Sequence, residues 1–159
     1  LNDLVESPSQ AGFVVQKMAP VGVPVSIGSV EDPLFGPVVS FGLAGPLTEL
    51  LADRAYRIPP LDQADAAALV RAVKAAPLLF GYRGTAPADV DEIERLVQAV
   101  SRLQNDLPQL RSLELPLVLA AERGVAVLSA VGRVEPVVDS RAGWFARRLD
   151  GPAADTIPG

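Results

Sequence analysis

The sequence predicts an α+β fold, a mainly antiparallel sheet packed against two main helices. Apolar and polar residues alternate at the two-residue period of a strand in the first third of the chain and again after residue 110. Between these regions, apolar residues recur at three- and four-residue steps, as in helices. The order is strands, then helices, then strands, which is typical of α+β proteins. With 159 residues, 49% of them hydrophobic, the chain can form one domain or two small subdomains with a core.

Several short strands are predicted in the first third. Residues 13–18 are an apolar segment, and residues 23–30 alternate Val and Ile with small or polar residues. Pro24 indicates a sheet edge or the start of a strand, because proline donates no ladder hydrogen bond. Another strand is predicted over 37–43, and 46–58 contains one or two further elements. The short connections favour antiparallel pairing.

Two helices are predicted next. Asp62 is placed to cap the first helix, and Leu69, Val70 and Val73 form its buried stripe. Asp89 is placed to cap the second. The predicted buried stripe of the second helix is Val90, Ile93, Leu96, Val97, Val100 and Leu103. Its predicted solvent face carries Asp91, Glu92, Glu94, Arg95 and Arg102.

A hairpin is predicted to end the folded unit. Its strands are residues 112–119 and 124–131, joined by a turn that contains Gly124. We therefore expect one subdomain over 13–135. Residues 1–12 are interpreted as a linker or the start of a fragment. Residues 136–159 are interpreted as a tail, with a short helix held by Trp144 and Phe145.

The composition excludes several classes of site. The chain has no Cys and no His, so it supplies no disulfide, thiol nucleophile, imidazole base or phosphohistidine. Its net charge of −5 and lack of a long basic cluster argue against a nucleic-acid partner. No apolar run reaches the roughly 18 residues of a membrane span. The first residues also lack the basic region of a signal peptide, so the sequence predicts a cytoplasmic protein without a membrane partner.

A series of short motifs runs along the chain in a fixed order. They are VQKMAP at 15–20, EDPLFGPVV at 31–39, FGLAG at 41–45, ELLAD at 49–53, YRIPPL at 56–61 and LFGYRG at 79–84. In this order they resemble the half of the ATP-grasp domain that follows the nucleotide hinge in ADP-forming acyl-CoA synthetases. The resemblance implies an ATP-grasp C-terminal subdomain. The closing segment 147–149 is similar to the ends of relatives fused to GNAT-type lysine acetyltransferases.

The resemblance also implies a nucleotide site with two parts. Gln16, Lys17 and Met18 correspond to the hinge that contacts adenine, although a polar pair at a strand end is also ordinary surface. Three glycines could bind phosphates through backbone N–H groups, or could serve tight turns or a bulge in the sheet. These glycines are Gly36, Gly42 and Gly45.

The metal ligands of the family are replaced in this chain. The Asn of "INP" and the Asp of "DAR", which hold the magnesium of MgATP, correspond to Pro116 and Ser129. Proline has no side-chain ligand, and a lone hydroxyl suits a hard cation poorly. Glu114 keeps a carboxylate nearby, which alone would hold a cation weakly, and strand alternation predicts it on one face with Pro116 and Val118. We therefore predict no metal site, and ATP and magnesium binding that is lost or weakened.

Two further groups of residues each allow two alternative roles. Glu49 and Asp53 are four residues apart, and could act as acid and base if buried or form a solvated pair. Arg83 could bind an anion or a partner, or could pair with Asp89 or Asp91.

Three functions follow from these observations. The favoured hypothesis is a degenerate ATP-grasp subdomain with a structural or regulatory role, sensing nucleotide or acyl-CoA for an attached acyltransferase domain. The first alternative is part of an active acid–thiol ligase that makes acyl-CoA from acid, CoA and ATP, with the missing groups supplied from elsewhere. The second alternative is a protein–protein interaction module. The expected partners are the rest of a longer polypeptide (an N-terminal ATP-grasp half, a CoA-binding or an acetyltransferase domain) or a second copy of the chain.

Overall fold

The computed structural model of the protein describes residues 17–46 and 50–136. Within these residues, five antiparallel strands form one sheet in the order β3-β2-β1-β4-β5. The strands are β1 (Val23–Asp32), β2 (Gly36–Leu43), β3 (Arg54–Arg57), β4 (Leu110–Ala120) and β5 (Val125–Val134). The predicted fold class and the final hairpin are confirmed. Pro24 lies at the start of β1, as one alternative predicted, but β1 is the central strand and not an edge.

Two α-helices cover one face of this sheet. They are α1 (Gln63–Arg71) and α2 (Val90–Asp106), and two short 3-10 helices, Ala76–Phe80 and Tyr82–Gly84, lie between them. Helix α2 packs on β1, β2 and β4, and α1 packs on α2 and on β2 and β3. In the part of the chain that the structure describes, no helix is both long and apolar enough to cross a membrane.

Both predicted helix caps are confirmed. The Asp62 carboxylate accepts a hydrogen bond from the Asp65 backbone N–H at 2.8 Å, and the Asp65 side chain returns one to Asp62, which completes a capping box. The Asp89 carboxylate accepts from the Glu92 backbone N–H at 3.1 Å. These acceptors satisfy N–H groups that a helix start would otherwise leave unpaired.

The core lies between the helices and the sheet. Its strand side chains include Val25, Ile27, Val39 and Phe41, all fully buried. The helices contribute apolar side chains that include Leu69, Val70, Val73, Ile93, Val97 and Val100. Burial of this apolar surface is the main force that holds the layers together.

The predicted stripe of α2 is correct at its centre and wrong at its margins. Leu103 is 40% exposed, whereas Ser101 and Gln104 are buried. Glu94, predicted on the solvent face, is 7% exposed and accepts a hydrogen bond from Arg71 of α1 at 2.6 Å. The prediction failed there because α1 packs against that side of α2 and covers the polar residues.

Candidate functional site

Small residues of β1 and β2 form a floor on the sheet face opposite the helices. β1 contains Ser26-Ile27-Gly28 and β2 contains Ser40-Phe41-Gly42, a repeated Ser–apolar–Gly pattern. Antiparallel pairing sets Ser26 beside Gly42 and Gly28 beside Ser40. Because side chains alternate across a strand, the apolar residue of each triplet enters the core and the four small residues share the open face.

Two charged side chains reach across this floor from opposite sides. Arg54 of β3 pairs in register with Gly42, and Glu114 of β4 pairs with Gly28. The Arg54 guanidinium donates to the Ser26 hydroxyl at 2.9 Å and to the Ser40 hydroxyl at 3.4 Å. Its Nη1 lies 3.9 Å from the Glu114 carboxylate. Ser26 and Ser40 are therefore buried, although they lie on the face away from the helices.

Gly28 makes room for the Glu114 side chain. A Cβ at Gly28 would lie 2.6 Å from the Glu114 carboxylate, so a larger residue there would push the Glu114 side chain off the floor. A Cβ at Gly42 would lie 3.1 Å from the Asp53 backbone carbonyl oxygen and 3.7 Å from Arg54 Nε, so Gly42 mainly leaves space for the neighbouring backbone. Neither glycine is required for a special backbone angle.

A bulge in β4 brings Pro116 to the same face. Between the pairs Val25–Val118 and Ile27–Leu115, β4 contains one residue more than β1. Leu115 and Val118 are both buried, so the bulge overturns the predicted alternation of Glu114, Pro116 and Val118 on one face. Pro116 is tolerated inside the sheet because a bulge leaves a residue without a ladder partner.

These residues enclose an open cavity of about 340 Å³. Ser26 lies at its floor, and Arg54, Tyr56, Glu114, Pro116 and Asp53 are in its wall. The Asp53 carboxylate accepts hydrogen bonds from the backbone N–H groups of Lys74 and Ala75, both at 2.8 Å. Asp53 therefore holds the segment after α1, and its predicted partner Glu49 lies outside the described residues.

The structure separates the three candidate glycines. Gly36 has a positive φ of 75° in the β1–β2 turn, where glycine is favoured, and Gly45 has a φ of 129° beyond the end of β2. Gly42 lies within β2, next to the Arg54 side chain that lines the cavity. Gly36 and Gly42 are six residue steps apart along β2, roughly 20 Å, so these two glycines do not border one site.

The other predicted residues that the structure describes do not line the cavity. Lys17 and Met18 precede β1 without regular secondary structure, Met18 is 91% exposed, and neither borders the cavity. Gln16 lies outside the described residues, as do Trp144 and Phe145. Ser129 is exposed on β5, in register with Leu117.

Arg83 does not pair with either predicted carboxylate among the described residues. Its guanidinium lies 5.4 Å from the centre of the Tyr82 ring. The Asp89 carboxylate instead accepts the Gly124 backbone N–H at 2.7 Å. This bond and the one from Glu92 lower the pKa of Asp89.

Comparison with known proteins identifies the fold as a whole. A family model described as an ATP-grasp domain matches residues 2–134. The chain belongs to the ATP-grasp family. The five-stranded sheet with its two helices is accordingly the C-terminal ATP-grasp subdomain that the sequence motifs predicted.

Several of the similar proteins are named ADP-forming ligases. The β subunit of ADP-forming acetate–CoA ligase I from Pyrococcus furiosus is 33% identical over 119 residues, which cover 75% of this chain and 51% of that subunit. ADP-forming acetate–CoA ligase I from Archaeoglobus fulgidus is 41% identical over 117 residues, which cover 74% of this chain and 17% of that protein. The chain therefore spans about half of one relative and a smaller part of the other.

A solved structure supports the same relationship. Acetyl-coenzyme A synthetase 1 from Candidatus Korarchaeum cryptofilum, in complex with coenzyme A and Mg-AMPPCP, superposes with a TM-score of 0.70 at 36% identity. The match covers 74% of this chain and 55% of that one. The resemblance to ADP-forming acyl-CoA synthetases is thus confirmed, and the fusion to an acetyltransferase stays a prediction.

The cavity of this ATP-grasp sheet offers few ligands that suit magnesium. Pro116 has no side-chain donor, and both Asp53 oxygens already accept backbone N–H groups. Glu114 faces the Arg54 guanidinium, whose positive charge repels a second cation. Magnesium requires near-octahedral oxygen ligands. The donors that the described residues place in this cavity do not fit that requirement.

Sequence reasoning did not single out Arg54 as a site residue. An arginine on a short strand is usually solvated, and only the register places it beside Ser26 and Glu114. The repeated Ser–apolar–Gly pattern of β1 and β2 was the available clue, because small polar residues at alternate positions in two neighbouring strands form a recess. That clue locates the floor but does not say which side chains cross it.

Proposed function

We propose that this chain is a degenerate ATP-grasp subdomain of an acyl-CoA synthetase-like protein, with a structural or regulatory role in place of magnesium-dependent phosphoryl transfer. The observation that supports this proposal is the Arg54–Glu114 arrangement over Ser26 and Ser40. It places a fixed positive charge beside Glu114. Pro116 lies in the same wall and has no side-chain oxygen for a metal, which supports the proposed loss of the metal site.

The energetic argument favours the same proposal. Phosphoryl transfer depends on a divalent cation to neutralise the charge of the phosphates. Loss of two ligands would remove several kcal/mol of this stabilisation, on the order of a thousandfold in rate. Sensing of nucleotide or acyl-CoA for an attached domain does not require that rate, and is the regulatory role we propose.

The relatives favour a second candidate function. Similar proteins over about three quarters of this chain are named ADP-forming acetate–CoA ligases. The chain could therefore belong to an active ligase that forms acyl-CoA from acid, CoA and ATP, if other segments or chains supply the metal ligands and a histidine.

The proposed partner is the other half of an ATP-grasp domain. In the sheet formed by the described residues, β5 is an edge strand, and it exposes Val127, Leu128 and Val131 at 45%, 44% and 62%. A long apolar edge strand favours pairing with further chain. Since the chain spans 51% of the Pyrococcus subunit, we propose that the additional half covers this region. The second copy predicted as an alternative would instead give a dimer on sizing.

Calorimetry and a turnover assay together test the proposed function. ATP and ADP are titrated, with and without magnesium, into the longest native polypeptide that contains this chain, and acyl-CoA formation from acetate, CoA and ATP is measured on the same sample. We expect no magnesium-dependent gain in affinity and turnover on the order of a thousandfold below a ligase relative assayed in parallel. Micromolar binding that requires magnesium, with acyl-CoA formation, would instead establish the ligase.

A further inference from the structure

The Arg54 side chain places a positive charge at a defined position in the cavity. It sits over the floor of the cavity with Nε near Gly42, and Ser26 and Ser40 fix its guanidinium through their hydroxyls. Both serines are buried, at 5% and 7% exposure, so the guanidinium is held on a rigid part of the sheet. An arginine placed in this way is oriented before any ligand arrives.

Part of the guanidinium remains available to a ligand. About a third of the Arg54 side chain is exposed, at 34%. The Glu114 carboxylate lies 3.9 Å from the Arg54 guanidinium, which is too long for a hydrogen bond. Among the described residues, Arg54 Nε donates no hydrogen bond to any acceptor. The Arg54–Glu114 contact is thus a loose ion pair in which the guanidinium keeps N–H groups for a second anion.

The position of Arg54 suggests what that anion is. Its cavity is also lined by Pro116. The resemblance to the family motif predicts that Pro116 stands in place of a magnesium ligand. A guanidinium matches the geometry of phosphate oxygens and carries the positive charge that the missing cation would supply. We propose that Arg54 takes over the electrostatic role of the divalent cation, so that this sheet face binds a phosphate group without magnesium. This inference rests on the proposed function, since it takes the open face to be the ligand-facing side.

The first test is binding in the absence of divalent metal. ADP, coenzyme A and inorganic pyrophosphate are titrated in EDTA into the longest native polypeptide that contains the chain. We expect measurable binding of at least one of them that weakens about tenfold or more in Arg54→Gln. Arg54→Lys keeps the charge but not the fork of donors, so its affinity is expected to lie between the two. A preference for ADP over coenzyme A, or the reverse, identifies the molecule that carries the phosphate.

Arg57→Gln is the matched control. Arg57 lies on the same strand and is exposed, and its Nη1 donates to the neighbouring Tyr56 carbonyl. The Arg57→Gln substitution removes the same charge three residues away from Arg54, and Arg57 does not line the cavity. Equal losses in Arg54→Gln and Arg57→Gln would mean general charge attraction only and would overturn the proposal. Thermal melting of each variant confirms that the chain remains folded.

Glu114→Gln separates an arginine site from a metal site by the sign of its effect. If Arg54 binds the phosphate, removal of the nearby negative charge strengthens binding in EDTA by several fold. If Glu114 instead holds a cation, the same variant weakens magnesium-dependent binding. No binding in EDTA, or binding indifferent to Arg54→Gln, overturns the role of Arg54 and leaves the degenerate function standing. Magnesium-dependent acyl-CoA formation overturns the degenerate function itself.

Discussion

The two faces of the sheet are built from the same short stretches of sequence but follow different rules. On the face toward the helices, Ile27 and Phe41 are completely buried in an apolar core. On the opposite face, their neighbours Ser26, Gly28 and Gly42 form a floor that charged side chains cross. Alternation along a strand thus places a packing position beside a position whose size and polarity define a recess.

The difference shows where this chain is constrained by folding and where it is free to change chemistry. The core face requires side chains of matched volume, because voids and overlaps both cost stability. The open face requires small residues only where Arg54 and Glu114 lie. Substitutions on that face can therefore change the charge of the cavity and leave the ATP-grasp fold intact.

The largest expected effect comes from a substitution on the core face of the sheet. Phe41→Ala should lower the free energy of unfolding by about 3–5 kcal/mol, because it removes a fully buried aromatic ring and leaves a cavity. Ser40→Ala, one residue away on the open face, should cost about 1 kcal/mol or less, since it removes only a 3.4 Å hydrogen bond from Arg54. Urea denaturation measures both. Similar losses for the two variants would contradict the distinction between the faces.

A smaller effect on stability is expected when Gly22 or Gly28 is replaced by alanine. A Cβ at Gly22 would lie 2.5 Å from the backbone carbonyl oxygen of Ala120, whereas a Cβ at Gly28 meets only the end of the Glu114 side chain. Gly22→Ala should therefore destabilise the protein by about 1–3 kcal/mol, because backbone must shift. Gly28→Ala should change stability by about 0.5 kcal/mol or less, since the glutamate can move aside. Equal decreases in melting temperature for the two variants would show that Gly28 is packed as tightly as Gly22.

Much of the helical layer could be predicted from sequence, because its rules are local. The caps at Asp62 and Asp89 follow from residue type and position. Burial of Glu94 could not be predicted, because it depends on how α1 lies against α2 and on the Arg71 partner that this packing supplies.

The open face was less predictable, because register and bulges decide it. The extra residue of β4 near Pro116 returns Val118 to the core, contrary to simple alternation. Arg54 and Glu114 are sixty residues apart in sequence, and meet only because β3 and β4 flank the pair β2-β1. The sequence motifs predicted a replaced ligand at Pro116 but could not show that Arg54 lines the same cavity.

The smallest expected effect contrasts the loosely held Glu114 with a carboxylate that is fixed. The Asp89 carboxylate accepts backbone N–H groups from Gly124 and Glu92 at 2.7 and 3.1 Å, and it thereby joins the β4–β5 turn to the start of α2. These bonds lower its pKa below the ordinary 3.8. A lowered folded-state pKa means that the ionised carboxylate stabilises the fold above about pH 3.8, and that this contribution disappears as the pH falls through the lower value.

Asp89→Asn should therefore lower the melting temperature at neutral pH, and the difference from the parent chain should shrink as the pH falls below about 4. Asp91→Asn is the control, because it removes the same charge from the first turn of the same helix without the two backbone bonds. Both variants lose the interaction of a carboxylate with the helix dipole. Only the additional loss of melting temperature in Asp89→Asn therefore reports the hydrogen bond from Gly124. A pH-independent difference, or one equal to that of Asp91→Asn, would mean that the turn is held by the β4–β5 ladder alone. In that case the sheet, and not a side-chain contact from α2, would fix the hairpin that carries Pro116 and Glu114 to the cavity.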